Sequence, residues 1–188
     1  MRIILSLFLA GFALIASAGA QELPQEGNPP GLEGPGNPAI EAAARLRDAV
    51  ARIDPDAEFF DNGANFSVLD TNVSLVYDIN ANRMRLVSAV TDIASLDEAE
   101  LLRLMQANFD SALDARYAIA QGALWSTFIH ELSSLTSDEF GSGLGQTVNL
   151  VQSYGTSYSS GALVFGGGDS AEQQRELIEE LQDKSREI

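Results

Sequence analysis

His130 is the one imidazole in a chain of 188 residues that contains no cysteine, so few side chains could serve as nucleophile, tuned base or soft metal ligand. A Ser-His-Asp triad would have to run through it. No G-x-S-x-G elbow accompanies it, and its position in an alternating run beside Glu131 points to a structural role. A thiolate or multi-histidine metal centre, an iron–sulfur site and a disulfide framework are excluded by the same two counts. Two acidic stretches begin like calcium loops. In Asp78-x-Asn80-x-Asn82 the required Gly is Arg83 and the bidentate Glu is replaced by Ala89, and in Asp54-x-Asp56-x-Glu58 the Gly position holds Phe59. They read as a hairpin turn and a helix-terminating linker. Gly141-Ser142-Gly143-Leu144-Gly145 and Gly166-Gly167-Gly168 lack the Lys-Ser/Thr of a phosphate loop; the one lysine is Lys184. Acids are numerous enough for a glycosidase pair, yet none stands out. No catalytic, cofactor-binding or metal residue is assigned, and no cofactor is expected.

Charge narrows the partners. With 27 Asp+Glu against 11 Lys+Arg the net charge is −16, which opposes the phosphates of nucleic acid and the headgroups of anionic membranes, since affinity for either grows with bound Lys and Arg. The N-terminus supplies an address. Arg2 precedes an apolar run over 3–15, and Ala18-Gly19-Ala20 has the form of a signal-peptidase site, so residues 1–20 read as a secretory signal cut between Ala20 and Gln21. The run is shorter than a bilayer span, and no later segment approaches one, so a periplasmic or secreted protein without membrane insertion after cleavage is expected.

Elements follow from punctuation and period. Residues 21–38 hold five of the six prolines and four glycines, with little to bury, and read as a disordered leader. Asn37-Pro38 supplies a cap and a first-turn proline for a helix over 39–53. Alternation then predicts three antiparallel strands near 66–70, 73–79 and 84–91, with Phe59-Phe60 as an approach segment. Ser95-Leu96-Asp97-Glu98 is the expected capping box of a second helix over 95–109. Strands over 115–120 and 123–131 flank Gln121-Gly122, the second apolar on both faces and so central. Thr136 to Glu139 caps a third helix whose Gly141, Gly143 and Gly145 imply either loose first turns or backbone-close packing. The apolar run 162–165 could form a short strand. Ser170 to Glu187 is helical with a narrow apolar stripe of Leu177, Ile178, Leu181 and Ile188: either a solvated tail or a short docking or oligomerisation helix. Trp125, Tyr117, Phe128 and Phe109 are expected in the core.

In this order, Leu101-Leu102-Arg103-Leu104-Met105-Gln106-Ala107-Asn108-Phe109, then 115–120, Gly122-Ala123-Leu124-Trp125 and 132–140 from Leu132 to Phe140, resemble the central helix and following elements of the CesT/Tir-type class I type III secretion chaperones and the related YbjN group. The resemblance covers about residues 39–154 and rests on hydrophobic spacing. It implies an α+β domain of order α-β-β-β-α-β-β-α, an antiparallel sheet packed against helices, commonly homodimeric, that holds an extended segment of another protein. The signal, the leader and the extra C-terminal helix depart from those cytosolic chaperones, so their cargo is not carried over.

The expected organisation is a signal at 1–20, a leader at 21–38, an α+β domain at 39–168 and an acidic helix at 169–188. The expected function is an exported, non-enzymatic, homodimeric module that offers strand edges or an apolar groove to a protein segment. Its alternatives are a secreted hydrolase with an unrecognised acidic site and a structural envelope protein assembling through its tail helix.

Overall fold

The computed structural model describes residues 36–110, 112–155 and 171–186, so the expected signal with Ala20 and Gln21, nearly all of the leader, the run 162–165 and Gly166–Gly168 lie outside the described residues. Asn37 opens the first helix, α1 (Pro38–Ile53), by accepting the Ala39 N–H on its side chain at 2.9 Å, with Pro38 in the first turn where its missing donor costs nothing. Ala42, Ala43, Leu46, Ala49 and Val50 make its buried stripe. Asp54 ends it and accepts the N–H groups of Asp56 and Ser67, which ties the helix end to the sheet.

Six strands then form one antiparallel sheet: β1 (Glu58–Phe60), β2 (Gly63–Val68), β3 (Thr71–Asp78), β4 (Arg83–Asp92), β5 (Arg116–Ala120) and β6 (Ala123–Glu131), in the spatial order β1-β2-β3-β4-β6-β5. The α+β class and the antiparallel sheet are as expected, with one strand more. Phe59-Phe60 is a paired edge strand and not merely an approach, because Phe59 and Phe60 lie opposite Ala64 and Gly63. β2 correspondingly starts at Gly63 instead of 66. The turn after it falls at Leu69-Asp70, both with positive φ, and not at Asp70-Thr71-Asn72, because Val68 and Thr71 must both face inward in register. Gln121-Gly122 makes the expected tight turn between β5 and β6, with φ of 53° and 76°.

One sheet face is the core. Ala64, Leu75, Leu86 and Phe128 form a single inward row across four strands, and Ser88, Ser126 and Tyr117 another. The third long helix, α3 (Ser137–Gln152), covers β3 to β6, and α1 covers β2. Its capping box is the expected one: Thr136 Oγ1 accepts the Glu139 N–H and Glu139 accepts the Thr136 N–H. At α2 (Glu98–Asp110) the box stands two residues later than expected, on Asp97 and Glu100, since a short 3₁₀ turn at Ile93–Ser95 occupies the place of the expected first turn.

The glycines of α3 decide between the two readings of that helix in favour of close packing. A Cβ on Gly141 would stand 2.7 Å from the Gln182 backbone, one on Gly143 2.5 Å from the Phe128 ring, and one on Gly145 2.7 Å from Ile178. The element so admitted is α4 (Ala171–Arg186), which runs antiparallel to α3 and also touches α1. It is not a solvated tail. Leu177, Leu181 and Ser185 are buried beneath it, Arg52 donates to the Lys184 and Ser185 carbonyls at its C-terminus, and Arg186 pairs with Asp138 in the first turn of α3. The Arg186 guanidinium holds the Asp138 carboxyl below the usual carboxylate range by hydrogen bonding to it.

Candidate interaction surfaces

Among the described residues the candidate catalytic and metal-binding side chains do not assemble into a site. His130 Nδ1 lies 2.8 Å from the Glu131 carbonyl, to which it can donate in the appropriate tautomer, and its ring stacks on Phe128 with centroids 5.9 Å apart. Ser126, the nearest serine on the same face of β6, is four residues back, about 13 Å along an extended strand and beyond any nucleophile–base contact. Asp78 accepts the N–H groups of Asn80 and Ala81, as a hairpin turn requires. Among the described residues no group of three or more acidic or histidine side chains converges as metal ligands would, and no helix is long and apolar enough to cross a membrane. A cleft between α1 and the start of α3, lined by Leu46, Leu135 and Phe140, encloses about 10 Å³, room for one water and far below a substrate pocket.

Side chains from the helices cap part of each sheet edge. On β5 the Tyr117 backbone gives its N–H to Asn108 Oδ1 at 2.7 Å and receives Asn108 Nδ2 at 3.0 Å, so one amide from α2 does the work of a neighbouring strand. Just before it, buried Gln146 accepts from the N–H groups of Asp114 and Ala115 at 2.7 and 3.0 Å. At the other edge Arg47 donates to the Phe60 carbonyl at 2.7 Å while its guanidinium lies 4.8 Å from the centre of the Phe59 ring. Each edge strand thus has one residue whose backbone is bonded by a helix side chain, Tyr117 on β5 and Phe60 on β1.

Exposed apolar surface lies elsewhere. On α2, Leu104 and Ala107 are buried and Leu101 is half-buried, whereas Leu102, Met105 and Phe109 are 61%, 50% and 78% exposed. Positions 102, 105 and 109 follow the three-and-four spacing of one helix face, so these side chains form a single uncovered stripe. Phe109, expected in the core with Tyr117 and Phe128, is therefore a correction; those two are buried, and Trp125 is half-buried on the opposite sheet face with its indole donating to the Ala120 carbonyl. Sequence periodicity identifies the helix face but contains no signal that no described element covers it.

The second such surface is the sheet face away from the helices. Phe60, Gly63, Val76, Arg85 and Ile129 are in register across five strands, and Ser74, Val87, Thr127 and Arg116 form the next row. Gly63 is required here, for a Cβ would meet the Phe60 ring at 2.7 Å. Ile129 is 52% exposed, and no described helix packs on this face.

No family model and no curated protein matches the chain. Among solved structures, the fold is similar to that in the crystal structure of the ExsC–ExsE complex, at 18% identity and a TM-score of 0.49, covering 61% of this chain and 90% of that one. It is also similar to the Yersinia pestis type III secretion chaperone SycH in complex with a stable fragment of YscM2, at 12% identity and a TM-score of 0.45, covering 60% of this chain and 98% of that one.

Proposed function

We propose that this chain is an exported, non-enzymatic protein-binding module that works as a homodimer and holds a segment of another protein. The observation that carries the reading is the α2 stripe of Leu102, Met105 and Phe109, three large apolar side chains side by side in water on a helix whose opposite stripe is packed. Contiguous apolar surface of that kind is characteristic of protein–protein contact. A second copy related by a two-fold axis would bury the stripe against itself, leaving the sheet face for a different partner. Export rests on the N-terminal pattern of Arg2, the apolar run and Ala18-Gly19-Ala20.

Crosslinking in the periplasm followed by mass spectrometry tests the module, and the solution mass of wild type against Phe109→Asp tests the dimer. A recovered protein partner, a processed N-terminus at Gln21 and a dimer that dissociates on Phe109→Asp are expected. A monomer with no partner, retained in the cytosol with Met1 in place, would overturn the reading.

A further inference from the structure

We draw no further inference here: the strongest candidate, the outward sheet face on which Arg83, Arg85 and Arg116 are matched by Glu58, Asp78 and Glu131, favours no one charge, and nothing in the structure shows what covers it.

Discussion

α2 and α3 occupy the same chain and treat their side chains in opposite ways. α3 is built from small residues and has little surface left: Gly141, Gly143, Leu144, Gly145 and Val148 are all buried, between the sheet on one side and α4 on the other. α2 carries the large apolar side chains Leu101, Leu102, Leu104, Met105 and Phe109 and leaves three of them in water. What separates the two is the room each leaves for a neighbour. The glycines of α3 let another backbone come close, whereas no described element packs on the outer stripe of α2.

That contrast can be broken in order of expected effect. Leu144→Ala, at a fully buried position, should cost about 2–5 kcal/mol in urea denaturation, through lost transfer energy and a residual cavity. A loss below about 1 kcal/mol would mean that α3 is not the packed helix described. Gly141→Ala comes next. Its Cβ meets the backbone of Gln182 and not a pliable side chain, so the usual helix-propensity gain of about 1 kcal/mol is outweighed by overpacking of about 1–3 kcal/mol. Amide exchange should locate the damage in α4, and faster exchange elsewhere with α4 protected would refute the contact. Thr136→Ala should cost about 1 kcal/mol by removing the cap of α3. Phe109→Ser, although it deletes a larger side chain than any of these, should change stability by no more than about 0.5 kcal/mol at low protein concentration.

The smallest effect is one of pH. Asp138 is held low by its hydrogen bond to Arg186, and Glu139 by the Thr136 N–H and hydroxyl. A carboxyl depressed in the folded state contributes stability that is complete above its unfolded value, about 4, and is lost as pH falls through the folded value. Exchange of α4 amides should therefore accelerate as pH is lowered below about 4, after correction for intrinsic rates, and Asp138→Asn should flatten that acceleration. An unchanged profile in Asp138→Asn would remove the Arg186 contact from the docking of α4.

Local chemistry made much of this fold readable. The cap at Asn37-Pro38, the box at Thr136 and Glu139 and the turn at Gln121-Gly122 are each complete within a few residues, and each stands where the sequence puts it. β1 was obscured because a three-residue edge strand has no alternation to show, all three residues being exposed. The α2 box was displaced because Ser95 spends its hydroxyl on the Asp92 carbonyl of a 3₁₀ turn, while Asp97 and Glu100 offer the same reciprocal pair one half-turn on. Phe109 and the three residues that cap parts of the edges, Arg47, Asn108 and Gln146, were beyond reach for a different reason. Period says which side chains share a face, but whether that face is covered depends on elements brought together from elsewhere in the chain. The arginines of β4 are an intermediate case: their alternation with Met84 and Leu86 assigns the side of the sheet, and the register across β3 and β6 is needed to see Val76 and Ile129 beside them.

The Asn108 amide has a consequence for the chain as a population. A sheet whose last strand still offers its backbone can accept a strand from the next molecule, and the next from another, so that growth has no natural end. By giving the Tyr117 N–H and carbonyl a partner that is itself a side chain, α2 caps the middle of β5, the last of the six described strands. With both groups of Tyr117 already taken, a strand from another molecule finds no backbone partner at that position of β5.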